Sequence, residues 1–79
     1  MLRSFFDMDQ VRLRQNAFGR WIIVNAVDER TAWSGSRFVP ITEDGFPASD
    51  IQVSNLDTRE SAAEYAVSFG LEVVAPTIH

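Results

Sequence analysis

Histidine and cysteine, two residue types that often carry out catalysis, are nearly absent from this chain. The only histidine is His79, at the end of the 79 residues, and cysteine is absent. Nucleophilic catalysis needs a base within hydrogen-bonding distance of the nucleophile, and a terminal imidazole is poorly placed for that role. We therefore predict no catalytic residue and interpret the protein as a non-enzyme.

The carboxylates occur where solvated surface charge is expected. Asp28–Glu29 and Glu43–Asp44 lie in turn-like segments, and residues 42–50 lack the alternating oxygen ligands of a calcium loop. Glu60 and Glu64 lie one turn apart on the polar side of a predicted helix, where nothing would desolvate them. We expect no metal site and no cofactor.

The charge of the chain is uneven and mostly acidic. Seven basic residues, all arginine, stand against eleven acidic ones, for a net charge of −4. Residues 1–20 have a net charge of +2 and residues 21–79 of −6. Because nucleic-acid affinity depends on neutralising phosphates, this acidic body argues against a general nucleic-acid binder. The short "SGS" at 34–36 precedes a strand pattern and is interpreted as a turn, not a phosphate loop.

Arginines cluster beside a tryptophan near the start of the chain. Arg12, Arg14 and Arg20, with Trp21, could form a basic and aromatic strip of the kind on which single-stranded RNA stacks. The alternative is a solvated strand face whose arginine stems cover apolar neighbours. RNA binding is therefore our second hypothesis for function.

Alternation of apolar and polar residues predicts four strands before the helix, at 11–15, 20–28, 37–41 and 51–56. The second is apolar on both faces, which is typical of a central strand with a cover on each side. Because Pro40 cannot donate to a β-ladder, the third strand either lies at a sheet edge or ends its regular pairing there. The polar segment "ERTAWSGS" is interpreted as a turn, and residues 42–50 as a loop.

The stretch 57–70 predicts a helix with clear ends. Asp57 is expected to cap the first turn with Glu60 reaching back to it, and Gly70 to end the helix in the left-handed conformation. Ala62 and Ala66 share a stripe that would let the helix lie close on a sheet. A last strand follows at 71–75.

These elements predict an α+β fold, a small mainly antiparallel β-sheet of order β-β-β-β-α-β with one helix packed on one face. Residues 1–10 are expected to be loosely ordered and residues 11–79 to form one domain. With a single helix, the second sheet face would stay uncovered, and this apolar face or the loop at 42–50 would meet a protein partner or a second copy. The residues predicted for this surface are Trp21, Trp33, Phe38 and Phe46.

The chain has no long apolar run; the longest, Trp21–Val24, is far below the ~20 residues that span a bilayer. The acids near the N-terminus do not fit a signal peptide. Together with the lack of cysteine, these features predict a cytoplasmic protein.

The segment from Arg30 to Val74 resembles the conserved region of an accessory subunit of respiratory complex I, the NADH–ubiquinone oxidoreductase. The matching residues are "AWSGS" at 32–36, "DIQVSNLDTRESAAEYA" at 50–66, and Phe69–Gly70 leading to "LEVV". The resemblance implies a small sheet with one helix and a non-catalytic part that docks on a larger complex. The alternative is a small bacterial α+β protein outside that family.

Overall fold

The computed structural model describes residues 9–74. Its strands and helix are β1 (Gln10–Gln15), β2 (Trp21–Asn25), β3 (Thr31–Trp33), β4 (Phe38–Pro40), α1 (Arg59–Ser68) and β5 (Glu72–Val73). The predicted α+β fold of order β-β-β-β-α-β is confirmed. Most of the predicted loose segment 1–10, and His79, lie outside the described residues.

The five strands form one sheet of order β4-β3-β2-β1-β5. All neighbours are antiparallel except β1 and β5, which are parallel. The doubly apolar β2 is the central strand, as its composition predicts. β4 with Pro40 is an edge strand, also as predicted, because a residue without an amide hydrogen cannot extend the ladder outward.

One of the four predicted early strands is replaced by another. Residues 51–56 alternate between apolar and polar types but do not form a strand. They make isolated backbone contacts with the ends of other strands. One such contact joins Leu56 and Trp21, whose backbones exchange two hydrogen bonds of 2.8 Å. The segment Thr31–Trp33, interpreted as a turn from its polar neighbours, is instead β3. The three residues of β3 are too few to show a period of alternation. Residues 51–56 alternate for another reason, because a segment that crosses strand ends also places its side chains at buried and exposed positions in turn.

Helix α1 begins one residue later than predicted. Thr58, not Asp57, is the N-cap, and its Oγ1 accepts a hydrogen bond of 3.0 Å from the amide of Ser61. Asp57 instead forms an ion pair with Arg20. Both residue types cap helices well, so the tertiary ion pair decides which one does so here.

The C-terminal end of α1 agrees with the prediction. Gly70 has φ of +78°, and its amide donates to the Val67 carbonyl at 2.9 Å. The amide of Leu71 donates to the Ala66 carbonyl at 3.1 Å, which completes a Schellman motif. The side chain of Leu71 is buried beside Ala66, so the turn that ends the helix also fixes its position on the sheet.

Both faces of the sheet are covered, and the predicted uncovered face is wrong. On one face α1 packs over a cluster that includes Val11, Ile23 and Trp33. On the other, the chain between β4 and α1 packs Ile41 and Val53 against Ile22 and Val24, which are 1% and 2% exposed. An irregular segment gives no periodic signal, so its role as a cover could not be read from the sequence pattern.

The close approach of α1 to the sheet predicts the effect of enlarging its alanines. Ala66 is fully buried, and we expect Ala66→Leu to destabilise the fold by ~1–3 kcal/mol because the added methyl groups have no space. The measurement is urea-induced unfolding followed by tryptophan fluorescence. Val67→Leu, on the exposed side of the same helix, is the control and should change stability by less than ~0.5 kcal/mol. Equal stability of Ala66→Leu and the native chain would contradict this packing.

Candidate functional site

A groove of about 200 Å³ lies between the β1–β2 turn (residues 16–20) and the chain between β4 and α1 (residues 41–58), which we call the cover segment. We call this groove the hairpin groove. Apolar side chains line part of it, among them Phe18, Phe46 and Pro47. Polar groups line the rest, including Arg20 and Asn55. This mixture of aromatic surface and fixed polar groups is typical of binding sites.

The first wall is a tight turn organised by Asn16. Its side-chain Oδ1 accepts hydrogen bonds from the backbone amides of Phe18 and Arg20, at 2.9 and 3.0 Å. Its backbone amide donates to the Arg20 carbonyl at 2.8 Å. Gly19 has φ of +80° and lets the chain reverse. The turn holds its backbone firmly while Phe18 projects from it, 83% exposed.

The second wall is the turn at residues 42–46. The Thr42 amide donates to the Phe46 carbonyl at 2.8 Å, and the amide of Ala17 in the first wall donates to the Asp44 carbonyl at 2.9 Å. Gly45 lies where the walls touch, because a Cβ there would be 2.9 Å from Asn16 Cβ. The rings of Phe18 and Phe46 therefore meet, with centroids 4.9 Å apart and planes tilted by 57°.

Arg20 links the groove to the start of the helix. Its Nε donates to Asn55 Oδ1 at 2.8 Å, and its guanidinium forms an ion pair with Asp57. The side chain thus crosses from the first wall to the segment that precedes α1. Its position is fixed by partners from outside the turn.

The four aromatic residues predicted for an interaction surface do not lie together. Trp33, only 9% exposed, packs in the helix-side core against Phe38, with ring centroids 5.1 Å apart. Trp21 is half-buried where β2 meets Leu56. Only Phe46 lies in the hairpin groove. Sequence reasoning missed its partner Phe18, whose only signal was a large apolar residue in the turn "NAFG".

The three arginines predicted for RNA contact all have partners inside the chain. Arg12 Nη1 lies 3.1 Å from Glu29 Oε2, Arg14 donates to the Glu43 carbonyl, and Arg20 is bound as described above. Arg12 and Arg14 share one sheet face, as their alternation predicts. Trp21 pairs with Gln15 in the register and so lies on the opposite face, which separates the aromatic ring from both arginines.

A second, wider groove of about 470 Å³ lies beside Arg14, Arg30, Glu29 and Glu43. Its two arginines and two glutamates balance in charge, and all but Arg14 are exposed. No aromatic ring lines it among the described residues. The hairpin groove is therefore the better candidate site.

The remaining sequence-predicted groups stay apart from both grooves. Glu60 and Glu64 are exposed on α1. Within residues 9–74, no three histidine, cysteine or acidic side chains are close enough to hold a metal ion. No helix in that range has the length and hydropathy needed to cross a membrane.

Comparisons with protein-family models, with curated proteins and with solved structures found no match to this chain. The interpretation of the hairpin groove rests on its own geometry.

Two glycines allow the contact between the walls to be tested. Gly45 and Gly19 both have positive φ, so alanine is strained at either position. Only at Gly45 would the new Cβ also meet backbone and side-chain atoms closer than 3.2 Å; at Gly19 the nearest atom is 3.9 Å away.

We expect Gly45→Ala to destabilise the protein by ~2–3 kcal/mol and Gly19→Ala by ~1 kcal/mol. Urea unfolding of both variants measures the difference. Gly45→Ala should also shift the amide resonance of Ala17, since it moves the walls apart. Equal destabilisation of the two variants would contradict the close contact of the walls.

Proposed function

We propose that this protein is a small non-enzymatic interaction module that binds another protein through the hairpin groove. The observation that supports this most directly is Phe18, which is 83% exposed on a turn held by four backbone and side-chain hydrogen bonds. A large apolar ring kept in solvent by a rigid turn gains most when a partner covers it. Aromatic side chains of this kind are the usual anchors of protein interfaces.

The size of the groove favours a partner side chain over a free metabolite. Pockets for drug-sized ligands have volumes of ~300–1,000 Å³, whereas the hairpin groove has about 200 Å³. That space suits one side chain inserted from a larger surface. The rings of Phe18 and Phe46 would contact its apolar part, and Gln52, an exposed residue of the groove lining, offers a polar group for its backbone or tip.

The rigidity of the walls supports the same function. Binding usually loses free energy because loops must be ordered. Here both turns are already joined by the hydrogen bond from the Ala17 amide to the Asp44 carbonyl, and the Arg20 side chain holds the first wall to Asn55. A prearranged site allows a small contact area to give useful affinity.

The proposed setting is the cytoplasm of a bacterial cell, with the module docked on a larger assembly. The resemblance to a complex I accessory subunit would make a respiratory complex one such assembly. A second copy of the chain is the other partner to be considered.

A photocrosslinker in place of Phe18 tests the proposal in the native cell. We expect p-benzoylphenylalanine at position 18 to give a discrete adduct with a second polypeptide, which mass spectrometry would identify. The matched control is the same group at Val27, which is 90% exposed and does not line the hairpin groove. Adducts of equal yield at both positions, or none at position 18, would refute the hairpin groove as the partner site.

Single-stranded RNA binding stays the second hypothesis, and Arg20 beside Phe18 and Phe46 is the observation that favours it. Stacking on the exposed ring would need phosphates to replace Asp57 at the guanidinium. We expect that exchange to fail, so filter binding of a fluorescent oligouridylate at ~20 mM salt should show no retention. Retention that falls steeply with salt and disappears in Phe18→Ser would reverse the order of the two hypotheses.

A further inference from the structure

The charges around the hairpin groove indicate the chemistry of its occupant. Asp44 belongs to the second wall and immediately precedes the groove residue Gly45, and its carbonyl accepts the hydrogen bond from Ala17 of the first wall. It is exposed and forms no ion pair within residues 9–74. Arg20 is the one cation lining the groove in that range, and Asp57 already balances it. Asp44 therefore adds a negative charge to the wall that no cation of the described residues pairs with.

The aromatic pair adds a second preference of the same sign. The faces of phenylalanine rings attract cations, and the attraction strengthens when the bound pair is shielded from water. Phe18 offers such a face, because its ring is 83% exposed and tilted by 57° against Phe46. An arginine or lysine stem could lie along the rings, with its charged end near the carboxylate of Asp44. Aromatic surface and acidic border thus favour the same kind of side chain.

Other occupants fit less well. A purely apolar side chain would suit the rings but would partly desolvate Asp44 without replacing its water. An acidic segment would be repelled by the Asp44 carboxylate. A second copy of this chain has the same net charge of −4, so its approach is opposed over long distances.

We infer that the hairpin groove binds a basic segment of a partner protein, with an arginine or lysine side chain over the Phe18–Phe46 pair. The inference depends on the proposed function, since it names the partner chemistry of the same site. Electrostatic attraction between the acidic module and the basic segment would also speed their encounter and make it sensitive to salt.

Five short peptides test the inference, Ac-Ser-Leu-X-Leu-Ser-NH2 with X as arginine, lysine, citrulline, leucine or glutamate. Each is titrated into the ¹⁵N-labelled protein to ~10 mM, and the amide resonances of residues 16–20 and 44–47 are followed. We expect the arginine and lysine peptides to shift these resonances and to saturate. Citrulline has the planar shape of arginine without its charge and should bind about fivefold to tenfold more weakly. Raising salt to ~0.5 M should remove most of that difference.

Three variants locate the interaction. Asp44→Asn removes the charge but keeps the size of the side chain, and Phe18→Leu removes the ring but keeps an apolar group. Each should weaken arginine-peptide binding by about threefold to tenfold. Val27→Ser, exposed and not part of the groove lining, should leave it unchanged.

The outcomes separate this inference from the proposed function. Equal or tighter binding of the leucine or glutamate peptide would overturn the preference for a basic segment while leaving the groove as a binding site. No groove shifts with any peptide would also overturn it, and the crosslink at position 18 would still decide the proposed function independently. Shifts that persist in both Phe18→Leu and Asp44→Asn would place the basic site elsewhere and equally overturn the inference.

Discussion

The structure depends on the need to cover both faces of β2. Ile22 and Ile23 are neighbours on this central strand, point to opposite faces, and are 1% and 0% exposed. A domain this small buries only ~60% of the surface of its unfolded chain, so it cannot leave either face in water. One face takes the alanine side of α1, and the other takes the irregular chain between β4 and α1. Among the described residues, no helix or strand covers this second face.

The hairpin groove follows from that arrangement. The cover segment has to cross the ends of the strands to reach Ile22, and this brings the turn at 42–46 against the β1–β2 turn. Gly45 allows the approach to within van der Waals contact of Asn16. The same crossing places Asn55 and Asp57 where they fix Arg20. The need to cover the second sheet face thus also produces the hairpin groove. The contacts that would shape a binding site there are the same contacts that stabilise the fold.

The parts of the fold that the sequence predicted are those with a local physical signature. The capped helix, its glycine end, the doubly apolar β2 and the edge position of Pro40 each follow from a few neighbouring residues. The start of α1 was missed by one residue because Asp57 has a distant ion-pair partner, which no local rule contains. β3 was missed because three residues show no period, and residues 51–56 were misassigned because crossing strand ends imitates alternation. Of the two aromatic residues in the hairpin groove, the sequence analysis predicted only Phe46 as part of a binding surface. Phe18 comes close to it by tertiary folding, and an irregular cover leaves no pattern to detect.

The parallel pairing of β1 with β5 has a consequence for how this domain can be joined to others. Glu72 donates its amide to the Asp9 carbonyl at 2.9 Å, and Val74 donates to Val11 at 2.8 Å. The first and last strands of the described domain therefore lie side by side and run in the same direction, so the chain leaves β5 heading towards the β1–β2 turn. Parallel neighbours cannot be joined by a short turn. A host polypeptide that accepted this domain as an insertion would therefore need a long linker at one junction to bring the chain back.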